Sequence, residues 1–174
     1  VESMSTAPFY VRNARFGVGN GNTVFVDPNI ESQPKSQPSD IYGVFNMIQT
    51  ADNVAYQFHV TRQEQDEFAL RSQQRAIAAI DSGRFDDEIV PVIIPQHKGD
   101  PIIFKTDEFP RRDTNMVKLS KLKTIFADGF VTAGNASGRN DGASALVIMA
   151  AEKAQELGIR PMARIIAGTA AGVD

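Results

Sequence analysis

An α/β fold is predicted for this chain of 174 residues. Two observations carry that expectation. The stretch from Thr61 to Gly83 holds helical start, period and stop signals. Three apolar runs, Glu88–Ile94, Ala143–Met149 and Ala163–Ala170, have the length and composition of strands. Helical and strand-like segments follow one another, as they do where helices pack on a sheet.

Residues 1–40 read as irregular. Gly17, Gly19, Gly21, Asn20 and Asn22 make a turn-rich stretch before the short alternation Thr23–Val26, which Asp27-Pro28-Asn29 stops. Gln33–Pro38 is a polar loop with two prolines. A first helix is expected over Thr50–Phe58. The second opens on Thr61-Arg62-Gln63-Glu64, where the Thr hydroxyl can accept from the N3 amide while Glu64 reaches back. Phe68, Leu70, Ala76, Ile77 and Ile80 give it an apolar face, and Gly83 a C-terminal stop. Pro91 makes the strand Glu88–Ile94 an edge or bulged one. The turn Lys98-Gly99-Asp100 leads to a second strand over Pro101–Lys105. Met116, Leu119, Leu122 and Phe126 suggest a short helix, Ala143–Met149 a buried strand, Ala151–Leu157 a helix stopped by Gly158, and Ala163–Ala170 a final strand.

Bulk properties narrow the function. The length suits one domain, which buries roughly 70% of its unfolded surface. A net charge of −3 offers no electrostatic reason to bind nucleic acid or an anionic membrane. No apolar run approaches the ~20 residues needed to span a bilayer. No signal peptide is visible, and a cytoplasmic location is expected. The first residue is Val rather than Met, which suggests a fragment, a processed chain or an incompletely resolved one. There is no cysteine, hence no disulfide, no thiolate metal site and no cysteine nucleophile in the chain. The two histidines, His59 and His97, lie far apart, and no cluster has metal-ligand spacing. His59 is read as structural and His97 as solvated beside a turn.

The richest segment for function is Val131–Ala143. Three glycines, two asparagines, an aspartate and a serine crowd a short stretch that follows a strand-like entry and leads into the apolar run Ala145–Ala151. Such a loop has small side chains and many free backbone N–H groups, so a large ligand can approach the main chain. A plain Gly-rich crossover between strands is the alternative reading.

Several segments resemble the thiolase family, in that family's order. They are Glu2-Ser3-Met4-Ser5 with Ala7-Pro8, Thr50–Asn53, Arg62–Ala69, Glu88–Val92, Lys121–Lys123, the loop Ala133–Gly138 with Asn140–Ala143, and Leu157–Ile165. The resemblance spans nearly the whole chain. It implies a partial thiolase-like fold: residues 1–130 as the loop domain, 131–160 as the closing loop, strand and helix of the N-terminal half, and 161–174 as the start of the C-terminal half. It further implies an acyltransferase of lipid metabolism, acting on acyl-CoA or 3-ketoacyl-CoA through an acyl-cysteine, with no covalently bound cofactor. The family's nucleophilic cysteine would lie before Glu2, and its Asn-Glu-Ala-Phe, Gly-His-Pro and Cys-x-Gly-Gly-Gly segments beyond Asp174. This chain alone is therefore expected to be inactive, with no catalytic residue of its own. Its expected partners are acyl-CoA and either the rest of the polypeptide or copies of itself in a dimer or tetramer.

By family position Ser137 and Ala133 face coenzyme A, and a small serine hydrogen-bonds an amide without crowding it. Arg111 aligns near the nucleotide end, where a guanidinium suits phosphate or adenine; a solvated connector arginine is the alternative. Phe126 aligns with a ligand-lining aromatic, against a plain core role. Met47 aligns beside the acyl site, against plain packing. Lys118 replaces a small polar residue and meets a phosphate or solvent. Two further departures are Asn46, where biosynthetic members commonly carry histidine, and Arg139, where the family prefers an apolar residue. Arg139 either crowds the pantetheine tunnel or pairs with an acid. Arg12–Asn29 aligns with a region that joins dimers in tetrameric members. The alternative to the enzyme reading is a non-catalytic remnant that binds coenzyme A or lipid, or serves structure.

Overall fold

The computed structural model describes residues 1–171. The chain divides into two compact units: Met4–Asn140, and Val1–Ser3 together with the segment from Asp141 onward.

The larger unit begins with short pieces. Tyr10 and Val26 exchange both backbone hydrogen bonds in an isolated antiparallel bridge, so of the Thr23–Val26 alternation only Val26 pairs within the described residues. Helix α1 (Pro28–Glu31) starts where the sequence stops the strand: Asp27 caps it and Pro28 is its first residue. A 3₁₀ turn (Gln33–Lys35) and helix α2 (Ser39–Tyr42) follow. Helix α3 spans Met47–Gln57, three residues earlier than the expected start. The cause is Asn46, whose side chain accepts from Ile48 and Gln49 while Gln49 accepts from the Asn46 amide. The residue read as a departure from the family is thus a helix cap.

Helix α4 (Arg62–Asp81) forms as expected, with the reciprocal Thr61–Glu64 cap in place. Both α3 and α4 end with left-handed residues, His59 (φ 56°) and Gly83 (φ 69°). Each is followed by a backbone amide reaching five residues back, Val60 to Ala55 and Arg84 to Ala79. His59 is therefore structural through its backbone, while its side chain is exposed. The expected apolar face of α4 is only half-buried, and Phe68 is exposed; the residue that α4 buries is Asp66.

Strands β1 (Val92–Ile94) and β2 (Ile102–Phe104) form an antiparallel hairpin with Ile93 opposite Ile103. Pro91 precedes β1, so its missing N–H costs the ladder nothing. Helix α5 (Met116–Ser120) is shorter than the expected helix to Phe126. Its continuation turns away because Thr124 bridges Thr132 and the Ile125 amide bonds the Val131 carbonyl. The buried apolar side chains of this unit are Ala55, Leu119 and Val131, beside fully buried Thr132 and Asp66.

In the smaller unit Glu2 bridges Gly142, and helix α6 (Ala151–Glu156) ends at Gly158 (φ 65°), as expected. The expected strands Ala143–Met149 and Ala163–Ala170 do not form; both segments are irregular and exposed. A strand needs a neighbour for its N–H and C=O groups, and among the described residues neither segment has one. Leu146 and Val147 stand 87% and 86% exposed rather than buried. Among the described residues no helix is long and apolar enough to cross a membrane.

Candidate functional site

The glycine-rich loop of the larger unit, Val131–Asn140, is held from three sides. On the first, Asp52 of α3 accepts the Phe130 and Val131 amides on one oxygen, at 2.8 and 3.0 Å. Tyr56, one turn further along α3, packs edge-on against Phe130 with ring centroids 6.3 Å apart. On the second, Asn135 bonds Asp66 of α4 through Nδ2 at 3.1 Å. On the third, Gly134 lies against α5 and the turn after it. A Cβ at Gly134 would stand 2.5 Å from Leu122 Cδ1 and 2.6 Å from Leu119 Cδ2. That close approach explains the glycine.

The first half of the loop is less open than its composition suggests. Thr132 N–H donates to Asn135 Oδ1, Gly134 N–H to Thr132 Oγ1, and the Asn135 and Ala136 amides to the Thr132 carbonyl. These amides are spent on the loop's own shape and are not free for a ligand. What the loop offers outward lies at its rim. Ala133 and Ser137 are exposed, and among the described residues the Ser137 hydroxyl makes no hydrogen bond. The Phe109 ring edge sits 2.6 Å from where a Gly138 Cβ would be.

Phe109 leads directly into a basic connector. The Arg111 amide donates to Gln73 of α4, Arg112 is bidentate on Asp81, and Lys118 holds Asp113 at 2.5 Å. Among the described residues Arg111 is the one connector cation that no carboxylate holds. Phe126 is half-buried beside the loop's entry, since the Ile125 amide bonds Val131. Ala133, Ser137, Phe126, Lys118 and Arg111 thus lie on segments that the loop, α4 and α5 bring together. Met47 stands apart: it is the first residue of α3, 65% exposed, with its amide on Gln33. Arg139 is exposed and has no ion pair among the described residues. Asp52, Asp66 and Asn135 are the residues that sequence reasoning missed. The one signal for Asp66 was its spacing of four from Arg62, which favours an ion pair on a helix.

The connector carries a pH dependence. The hydrogen bond from Lys118 holds the Asp113 carboxyl below the usual aspartate range, and Arg111 adds a smaller push. A carboxyl lowered on folding keeps its contact above an ordinary value of about 4 and loses it as pH falls through the lowered one. In an NMR titration the Asp113 midpoint is expected below that of an unpaired aspartate, and Lys118→Met is expected to raise it. Equal midpoints in the two proteins would disprove the pairing.

The family profile described as Thiolase, N-terminal domain, matches residues 1–152. This chain belongs to the thiolase family. The thiolase chain is 49% identical to the acetyl-CoA acetyltransferase of Pseudomonas aeruginosa over 99% of its own length and 43% of the relative's. It is 45% identical to a probable acetyl-CoA acyltransferase of Staphylococcus aureus, over 100% of its length and 44% of that protein. It therefore spans less than half the length of these curated relatives. The crystal structure of the Bacillus anthracis acetyl-CoA acetyltransferase superposes with a TM-score of 0.77 at 43% identity, covering 92% of this chain and 39% of that one. Human mitochondrial 3-ketoacyl-CoA thiolase gives 0.75 at 38% identity, over 92% and 40%. The thiolase-like fold expected from the motifs is thereby established for a chain that covers about two fifths of these structures.

Proposed function

We propose that this chain is the coenzyme A-holding part of an enzyme that condenses or cleaves acyl-CoA and 3-ketoacyl-CoA. The observation that carries the reading is the loop Ala133–Gly138: exposed Ala133 and Ser137, the latter with its hydroxyl unengaged, lie on a loop whose neighbour Phe109 leads into a basic connector. A pantetheine arm has amides for Ser137 and methylenes for Ala133 and Phe126. Its nucleotide end has phosphates for Arg111, whose guanidinium forms no ion pair among the described residues. Lys118 answers a phosphate only by leaving Asp113. Met47 serves the acyl side. Residues 1–130 act as the loop domain, 131–160 as the closing part of the N-terminal half, and 161–174 as the start of the C-terminal half.

The chain has no cysteine, so it holds no thiolate on which an acyl group could be carried. Acyl transfer therefore draws its nucleophile from outside these residues, and the chain alone is inactive. The exposed apolar run Leu146–Ile148 supports association with further thiolase polypeptide or with copies of the chain. The setting is cytoplasmic lipid metabolism.

Calorimetric titration with coenzyme A tests the reading. The wild-type protein is expected to bind, and Ser137→Ala to weaken binding by roughly three- to tenfold, the worth of one hydrogen bond. Absence of heat at millimolar coenzyme A with the wild-type protein would sink it.

A further inference from the structure

We infer that Asp66 is a positioning residue that fixes, through one buried carboxylate, both the loop carrying Ala133 and Ser137 and the end of α5 carrying Lys118; this rests on the coenzyme A reading above. Its side chain is 2% exposed, and its two oxygens serve opposite directions. Oδ1 accepts from Asn135 Nδ2 at 3.1 Å, and Asn135 in turn holds the Thr132 amide through Oδ1 at 2.7 Å and the Phe130 carbonyl through Nδ2 at 3.3 Å. That arm fixes the loop carrying Ala133 and Ser137. Oδ2 accepts from Arg62 Nε at 2.9 Å. The rest of the Arg62 guanidinium spans to the Leu119 carbonyl at 2.6 Å and the Leu122 carbonyl at 3.2 Å. That arm fixes the C-terminal end of α5, which carries Lys118, and the start of the turn that leads to Phe126.

The chemistry suits rigid linkage. The planar guanidinium offers its donors in a fixed fork, so orienting Nε on Asp66 also orients the two donors on the carbonyls. A buried carboxylate with one donor on each oxygen cannot re-aim without losing a bond. No buried side-chain polar atom among the described residues lacks a partner. Loop and α5 are consequently both fixed to α4, and the separation between the segment carrying Ser137 and the segment carrying Lys118 is set at Asp66. An exposed acid on a polar helix would do none of this.

Asp66→Asn keeps the shape but has a single acceptor oxygen for two donors, so one arm is lost. In the protein as expressed from its gene, Asp66→Asn is expected to raise hydrogen exchange at Thr132–Ala136 or at Leu119–Leu122. The Kd for coenzyme A should rise about tenfold, and KM for coenzyme A should rise with kcat held within about twofold. Arg62→Lys retains the charge and removes the fork. It is expected to loosen Leu119–Leu122 alone, with a smaller rise in Kd, and it decides the matter if Asp66→Asn fails to fold. Ile77→Ala, about three turns along the same helix, serves as a control of lowered stability in which neither exchange at the loop nor Kd changes. Unchanged Kd in folded Asp66→Asn or Arg62→Lys protein, with the wild type binding, overturns the positioning role while leaving the coenzyme A reading intact. A wild-type protein that does not bind coenzyme A removes both.

Discussion

Gly134→Ala is expected to lower the melting temperature by roughly 4–8 °C, the equivalent of about 2 kcal/mol in a chain of this size. The added methyl would stand 2.5 Å from Leu122 Cδ1 and 2.6 Å from Leu119 Cδ2. Leu122 is 38% exposed and can turn aside, whereas Leu119 is 4% exposed and has nowhere to go. Either the loop lifts from α5 or Leu119 leaves the core, and both separate Ala133 from the segments opposite. The same substitution at Gly138 is a useful contrast. There the obstacles are the edge of Phe109, which is 53% exposed, and the Oδ1 of exposed Asn140, both side-chain ends that can turn aside, so Gly138→Ala should cost little. Thermal melts of Gly134→Ala, Leu119→Ala and the pair together check the cause. Leu119→Ala makes room for the methyl, so the double variant is expected to be more stable than the sum of the single losses. Additive losses would mean that the methyl and Leu119 do not meet.

What was legible in the sequence was what is decided locally. The Thr61–Glu64 cap and the Gly83 and Gly158 stops involve residues within a few positions of one another, and all three form. The Asn46–Gln49 cap was equally readable, since Asn followed three residues later by Gln is the same signal. Its position where biosynthetic thiolases commonly carry histidine masks that signal. Ala143–Met149 and Ala163–Ala170 have the composition of strands, but a strand is a relation between two segments, and composition does not name the second. Asp66 was illegible for a different reason. In Gln63-Glu64-Gln65-Asp66-Glu67 a buried acid and a solvated one look alike. The spacing of four from Arg62 signals an ion pair but not burial, which the distant partner Asn135, 69 positions on, completes. The loop is rich in small residues as its composition implies, yet it has fewer free amides than that composition suggests, because Thr132 and Asn135 are both donors' targets and parts of the loop.

Asp52→Ala is expected to be the most costly change on the other side of the loop. Its Oδ1 accepts two adjacent main-chain amides, Phe130 at 2.8 Å and Val131 at 3.0 Å, where the chain enters the loop. Val131 is only 5% exposed, so water cannot replace the carboxylate there without opening the core. An orphaned buried donor costs about 1–3 kcal/mol, and two lie side by side. Gly129 shows how closely the carboxylate is seated, because a Cβ there would fall 2.6 Å from Asp52 Oδ2. Asp52→Asn separates hydrogen bonding from charge: its amide oxygen can still accept both N–H groups, so most of the stability should return. Urea denaturation with amide exchange read at Phe130 and Val131 measures both quantities. The expected order is wild type, then Asp52→Asn, then Asp52→Ala, with exchange rising in the same order. If Asp52→Ala unfolds at the wild-type urea concentration, the carboxylate does not anchor the loop, and the anchorage of its entry must rest on Asn135 and the Thr124–Thr132 bridge instead.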